Sequence, residues 1–211
     1  MPGTSLKAVF DTSSARTLPR GGYLFTDGEP AEKAYFIEEG SVKLGSYGAG
    51  GKEITKAVYQ AGELLGETAL IGHTHQHNFA VALTRVTIRE MRISDLRARL
   101  HQHHDLHLEV MEIIGRRLLA TERRLESLVF KNSRGRIIEY LYNLAQERGK
   151  RVGYEMLVRQ FLTHQEIANL TATSRQTVTT VLNELRNDNV ITFNRKRLLV
   201  RDMDVLADKM R

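Results

Sequence analysis

Seven of the eight histidines of this 211-residue chain fall between positions 73 and 107, its densest grouping of side chains that could do chemistry. His73, His75 and His77 alternate, so on an extended strand they would share one face. His101, His103, His104 and His107 come just before and within a helical stretch. Imidazoles grouped in this way can hold zinc, copper or haem. The plainer reading, a solvated turn and a solvated helix start, weighs more, because no aspartate, glutamate or cysteine completes a ligand set. No metal ligand is assigned, and a histidine-liganded metal or haem sensor stands as the alternative. Cysteine is absent, which removes disulfides, thiolate nucleophiles, thiolate-bound zinc and cysteine-ligated iron–sulfur clusters. A cupin-like metal enzyme would need a further histidine on another strand. None occurs between His77 and His101, where the pattern has already become helical. No catalytic residue is assigned, and the chain reads as a non-enzyme.

A second grouping is polar and lies near the C-terminus. Thr163 can cap a helix with Glu166 three residues on, the signature of a capping box. Ala168 is small where a following helix would cross, and Ile167, Val178, Val181, Leu182 and Leu185 would form a common core. Ser174 can cap that second helix, so Arg175, Gln176, Thr179 and Thr180 would project from its first solvent-facing turns. This is the layout of a helix-turn-helix, whose second helix enters the DNA major groove. These four residues are the expected base readers. Thr163, Gln165, Ser174 and Thr177, short polar groups at helix starts, are expected to hold phosphates together with Arg195 and Lys196. Those last two sit at a tight turn between Val190-Ile191-Thr192-Phe193 and Arg197-Leu198-Leu199-Val200, two runs with the composition of strands, which makes a winged variant. A helical hairpin used for packing or protein contact would lack this basic wing and polar face. A formal charge of +6 and a pI near 9.6 suit a polyanionic partner.

These groups need elements to position them. From Leu18 to Arg92 short β-like runs alternate with glycines, the pattern of a small all-β barrel or sandwich, and Val81 to Ile93 is a longer alternating stretch. From about Asp105 to Lys131 the period becomes helical. Met111, Ile114, Leu118, Thr121, Leu125 and Leu128 are spaced three and four apart, the seam of a two-stranded coiled coil, and imply a homodimer. The competing role for the stripe is to cover the barrel. A further helix from Arg134 to about Arg148, capped by Asn132 or Ser133, opens the second domain. The fold class expected is therefore α+β, with an effector-sensing barrel over 1–104, a dimerisation helix over 105–131 and a winged helix-turn-helix over 132–211. No run reaches the 18 or so apolar residues of a membrane span, and the start lacks the basic and apolar regions of a secretory signal, which points to the cytoplasm.

Four stretches in this order and spacing resemble the family of the cyclic-AMP receptor protein and the fumarate-nitrate regulator. They are Gly22-Tyr23-Leu24-Phe25 with Gly28-Glu29-Pro30-Ala31; Tyr35 to Val42; Gly62-Glu63-Leu64-Leu65-Gly66-Glu67; and Ser174-Arg175-Gln176-Thr177-Val178. The resemblance covers nearly the whole chain. It implies a jelly-roll barrel, a long dimerisation helix, a hinge near Phe130 to Ser133, and transcription regulation from a palindromic DNA site. It also implies that Arg175 contacts a guanine, that Gly66 and Glu67 cradle an effector, and that Thr121 reaches it from the helix. RNA polymerase is the implied partner of an activator in this family.

One departure bears on the effector. Cyclic-AMP-binding members carry an Arg-Ser pair about ten residues after the Gly-Glu turn, and this chain aligns His77 and Asn78 there. A mostly neutral imidazole cannot replace a bidentate guanidinium on a phosphate. The effector expected is therefore something other than cyclic AMP, unless Arg85, Arg89 or Arg116 reaches the pocket. The family's haem-binding carbon monoxide sensor uses a cysteine ligand that this chain lacks. A cyclic-nucleotide-gated module without DNA binding would have no use for the recognition helix.

Overall fold

The computed structural model describes residues 5–51 and 53–210, apart from the side chain of Ala49. The chain divides into two compact units, Met1–Leu119 and Ala120–Arg211. The first opens with α1 (Leu6–Phe10) and continues through β1 (Ala15–Leu18), β2 (Tyr23–Phe25), β3 (Lys33–Glu39), β4 (Ser41–Tyr47), β5 (Glu53–Gln60), β6 (Leu64–Leu65), β7 (Phe79–Ala82) and β8 (Val86–Arg92). These strands form two antiparallel sheets of four, ordered β1-β8-β3-β6 and β2-β7-β4-β5. Leu18, Leu24, Phe25, Ile37, Val42, Leu65, Val86 and Ile88 form one core cluster of this unit. Burying each such leucine, isoleucine or phenylalanine contributes about 1.5–3 kcal/mol.

The expected single stretch from Val81 to Ile93 is in fact the end of β7, a turn, and β8. The turn is fixed by Thr84, whose hydroxyl accepts from Ser41 N at 3.0 Å, and by Gly40, where any Cβ would lie 2.4 Å from the Arg85 carbonyl. Two further helices carry no signal singled out in the sequence. One is α1, and the other is α2 (Ile93–Gln102), whose Leu96 and Leu100 join Phe10, Phe36, Leu64 and Met91 in a second cluster.

The long helix α3 (His104–Phe130) carries two distinct apolar faces. Leu106 and Val110 are buried, with Ile113 and Ile114 packed beside them, so one face covers the barrel. The adjacent face carries Met111, Leu118 and Leu125, which stand 66%, 58% and 64% exposed. Ile114 lies between the two faces rather than in an open seam.

The second unit continues with α4 (Ser133–Arg148), β9 (Lys150–Val152), β10 (Glu155–Arg159), α5 (His164–Thr171), α6 (Arg175–Asn187), β11 (Ile191–Phe193), β12 (Arg197–Val200) and α7 (Met203–Asp208). Asn132 is the cap of α4, its side chain accepting from Gly135 N at 2.8 Å. Its apolar face, Ile137, Ile138, Leu141, Leu144 and Ala145, packs with Ile167, Val178, Leu182, Leu185, Ile191 and Leu198 into one core. The wing is one edge of a four-stranded sheet, β11-β12-β10-β9. The hairpin of β9 and β10 was not expected. Its signals are the Gly153 turn, at φ 62°, and the apolar run Met156-Leu157-Val158 behind it.

Candidate nucleic-acid interface and effector site

The start of α5 holds the capping box in full. Glu166 N donates to the Thr163 hydroxyl at 3.3 Å, and Thr163 N donates back to the Glu166 carboxylate at 2.8 Å. The turn to α6 passes through Ala172 in the left-handed region, φ 51° and ψ 48°. Arg136 of α4 secures that turn: its guanidinium donates to the Thr171 carbonyl at 2.8 Å, the Ala172 carbonyl at 3.0 Å and the Lys131 carbonyl at 2.9 Å. Ser174 then caps α6, accepting from Thr177 N at 3.0 Å, while its hydroxyl meets that of Thr177 at 2.8 Å.

Beyond the cap, Arg175, Gln176 and Thr180 are exposed, directly behind buried Val178, Val181 and Leu182. Thr179 differs. It is half-buried, its hydroxyl donates to the Arg175 carbonyl at 2.9 Å, and it also meets Nδ1 of His164 at 2.8 Å. A hydroxyl has one proton; with that given to the carbonyl, it accepts from His164, which fixes the Nδ1–H tautomer. His164 was not singled out in the sequence. Its ring also packs edge-on against Phe193, 5.9 Å between centroids. Burial, and then the charge of Arg175, lower its pKa. Gln165 is exposed and donates to Asn169 at 2.9 Å. At the wing, the Asn194 side chain accepts from Lys196 N at 2.9 Å and Arg197 N at 3.0 Å, leaving Arg195 and Lys196 exposed at the tip.

In the first unit, Gly66 takes φ 82°, and a Cβ there would lie 2.5 Å from the Lys33 carbonyl, so only glycine fits the turn that presents Glu67. Glu67 is paired with Arg117 of α3. The same guanidinium donates to the Leu64 carbonyl and lies over the Tyr59 ring, 4.3 Å from its centre. Burial, foremost, pushes the Tyr59 hydroxyl up to about 12. The cations named from the sequence are engaged elsewhere or open to solvent. Arg89 binds Glu38 at 2.7 Å and the Ser13 carbonyl at 2.7 Å, Arg116 binds Glu112 at 2.7 Å, and Arg85 is exposed. The arginine that reaches Glu67 is one position beyond Arg116. His77 is exposed, and Asn78 accepts from Lys56 at 2.6 Å. Thr121 is exposed and belongs to the second unit.

The histidine trio does not lie on a strand. β7 begins only at Phe79, and of residues 73–78 His75 alone forms an isolated bridge, to Pro30. The rings of His73 and His77 meet at 5.1 Å, while His75 turns to Thr74. Among the described residues no group of three or more His, Asp or Glu is placed to hold a metal, and no helix is long and apolar enough to cross a membrane.

This geometry agrees with what the chain resembles. The model of the cyclic nucleotide-binding domain matches residues 15–103, and that of the Crp-like helix-turn-helix domain matches residues 135–209. The chain belongs to the Crp/Fnr family of transcription regulators. Within the family, the global nitrogen regulator of Synechocystis sp. is 30% identical over 97% of this chain and 95% of its own length. The CRP-like cAMP-activated global transcriptional regulator of Mycobacterium tuberculosis is 30% identical over 92% of this chain and 86% of its own. Among Crp/Fnr structures, a CooA mutant from Carboxydothermus hydrogenoformans superposes with a TM-score of 0.83 at 24% identity, covering 96% of this chain and 90% of that one. The fold of a Crp/Fnr regulator, a nucleotide-binding-type barrel joined to a C-terminal helix-turn-helix, is thus the fold of this protein.

Proposed function

We propose that this chain is a homodimeric, non-enzymatic regulator that reads a palindromic DNA site in the cytoplasm and answers to an effector other than cyclic AMP. The three parts are the barrel over 1–104, the dimerisation helix over 105–131 and the DNA-binding domain over 132–211. The observation that carries the DNA reading is the capped start of α6, which holds Arg175, Gln176 and Thr180 in solvent above a fully buried apolar face. Arginine pairs bidentately with guanine and glutamine with adenine in the major groove, so these residues read bases, with Thr179 bracing them from within. Thr163, Gln165, Ser174, Thr177, Arg195 and Lys196 hold the backbone around them. Two such helices related by the α3 seam call for half-sites about one helical turn apart. Selection of bound duplexes from a random-sequence pool tests this. Two-fold symmetric half-sites are expected, and binding without sequence preference would refute it.

The effector reading rests on the pair His77 and Asn78. An exposed imidazole and an amide stand where a phosphate would need a guanidinium, and Lys56 brings Asn78 only an exposed point charge in place of a two-pronged fork. Glu67, with Arg117 against it, remains the anchor for a polar ligand. Relatives include both a cAMP-activated regulator and a nitrogen regulator, so membership of the family leaves the effector to these residues. RNA polymerase is the partner of such a protein where it activates.

A further inference from the structure

Within the second unit, the last turns of α3 and the facing side of α4 meet through polar groups. Arg136, Tyr140, Asn143 and Glu147 recur at steps of four, three and four along α4, so they form one stripe. Arg123, Arg124 and Ser127 of α3 stand opposite, and a cavity of about 190 Å³ remains between them. Helices packed for stability alone interdigitate apolar ridges and leave few voids, as α4 does on its other face.

The lining favours a particular chemistry. Among the described residues, the half-buried Tyr140 hydroxyl lines this cleft without a hydrogen-bond partner, and the Asn143 amide and Arg123 guanidinium, exposed at its mouth, are likewise held by no other protein group. Burial, foremost, raises the pKa of Tyr140, so the phenol keeps its proton and serves as a donor. The acceptors nearby are mostly taken. Glu139 binds Ser127 and, at 2.7 Å, Lys131, and the Thr171 carbonyl receives Arg136. Glu147 is the one carboxylate left against three guanidinium groups. An excess of donors and positive charge calls for a ligand rich in acceptors and negative. At about 30 Å³ per water, the space of about 190 Å³ holds roughly six waters, room for a small, compact ligand.

We propose that this cavity binds a small oxyanion metabolite, a di- or tricarboxylate or a phosphorylated compound, at a site separate from Glu67. Such a ligand meets Arg136, which holds both the end of α3 and the turn between α5 and α6. Its binding therefore acts on the placement of the recognition helix.

Calorimetry on the full chain without DNA, in chloride buffer, with succinate, citrate, inorganic phosphate and pyrophosphate tests this. One class is expected to bind once per chain at millimolar concentration or tighter, and which class does so separates a carboxylate ligand from a phosphate one. Tyr140→Phe and Arg123→Gln should each weaken it about tenfold, the loss typical of one hydrogen bond to a charged group, without lowering the melting temperature. Asn143→Trp, which fills the space, should abolish it and leave binding to DNA intact. Absence of binding by all four anions, or binding indifferent to Tyr140→Phe and Arg123→Gln, would overturn the proposal.

Discussion

Two residues of the recognition surface carry separable energies. Arg175 is exposed on the first turn of α6, and the proposed reading gives its guanidinium a guanine edge to pair with. Arg175→Ala should cost roughly 1–3 kcal/mol on the selected site and little on random duplex. Equal losses on both, measured by fluorescence anisotropy, would demote it to a phosphate contact. His164 sits at the start of α5 beside Thr163 and Gln165, with a pKa below its ordinary value of ~6.5. DNA phosphates favour the charged imidazole, so binding takes up a proton and affinity rises as pH falls from about 7 toward 5.5. In the free protein the sign is opposite. The folded state holds this proton more weakly than the unfolded chain, so His164 lowers stability as pH falls below ~6.5 toward its folded pKa. His164→Gln should flatten the affinity profile; a profile that keeps its slope would clear His164 of the linkage.

At the scale of elements, α3 covers the barrel with one face, and the proposed dimer would use the next. Its exposed face continues past Met111, Leu118 and Leu125 to Val129 and Phe130, the last 81% exposed, far more apolar surface than one solvated helix needs. Leu118→Glu combined with Leu125→Glu places four carboxylates in the seam of a dimer, each costing several kcal/mol, on the order of 3–5 when unpaired. Sedimentation should then report a monomer with the far-ultraviolet circular dichroism of the parent, and a surviving dimer would move the interface off α3. The turn between α5 and α6 is a smaller test of element geometry. Ala172 holds a left-handed conformation that costs a residue with a Cβ about 1–2 kcal/mol. Ala172→Gly relieves this but frees the unfolded chain by about 0.5–1 kcal/mol. The net should be a gain of about 0.5 kcal/mol in urea denaturation, whereas Ala172→Val should lose more than that.

Taken whole, the molecule has the Gly66–Glu67 turn that the proposed reading takes as its effector cradle. Gly66 and Glu67 are in place, yet Glu67 is already neutralised by Arg117, and the His77–Asn78 pair offers a cyclic phosphate no guanidinium. The missing partner should lower affinity for cyclic AMP by roughly 3–5 kcal/mol, the scale of an unpaired buried charge. Calorimetric titration of the unmodified protein with cyclic AMP and cyclic GMP should therefore give no micromolar binding. The variant carrying His77→Arg with Asn78→Ser should recover it if the remainder of the pocket is intact. Micromolar binding by the unmodified chain would sink the prediction at once.

The helix-turn-helix was legible in the sequence because its signals are local. Caps, the capping box and the apolar spacing of Ile167, Val178, Val181, Leu182 and Leu185 act within a few residues and survive any tertiary arrangement. The glycine-punctuated strands and the 27-residue helix α3 were legible for the same reason. What the sequence left open depended on which distant residues meet. Arg117 rather than Arg116 faces Glu67 because the helix phase is set by packing Leu106 and Val110 on the barrel, and a shift of one residue turns a side chain by about 100°. The alternation of His73, His75 and His77 suggested a shared face, but alternation places side chains together only on a strand, and the chain there follows a loop. Thr179 looked equivalent to its exposed neighbours until His164, fifteen residues earlier, was found against its hydroxyl. Only the tertiary structure decided these pairings, because a side chain's partner is chosen by packing across the fold rather than by its neighbours along the chain.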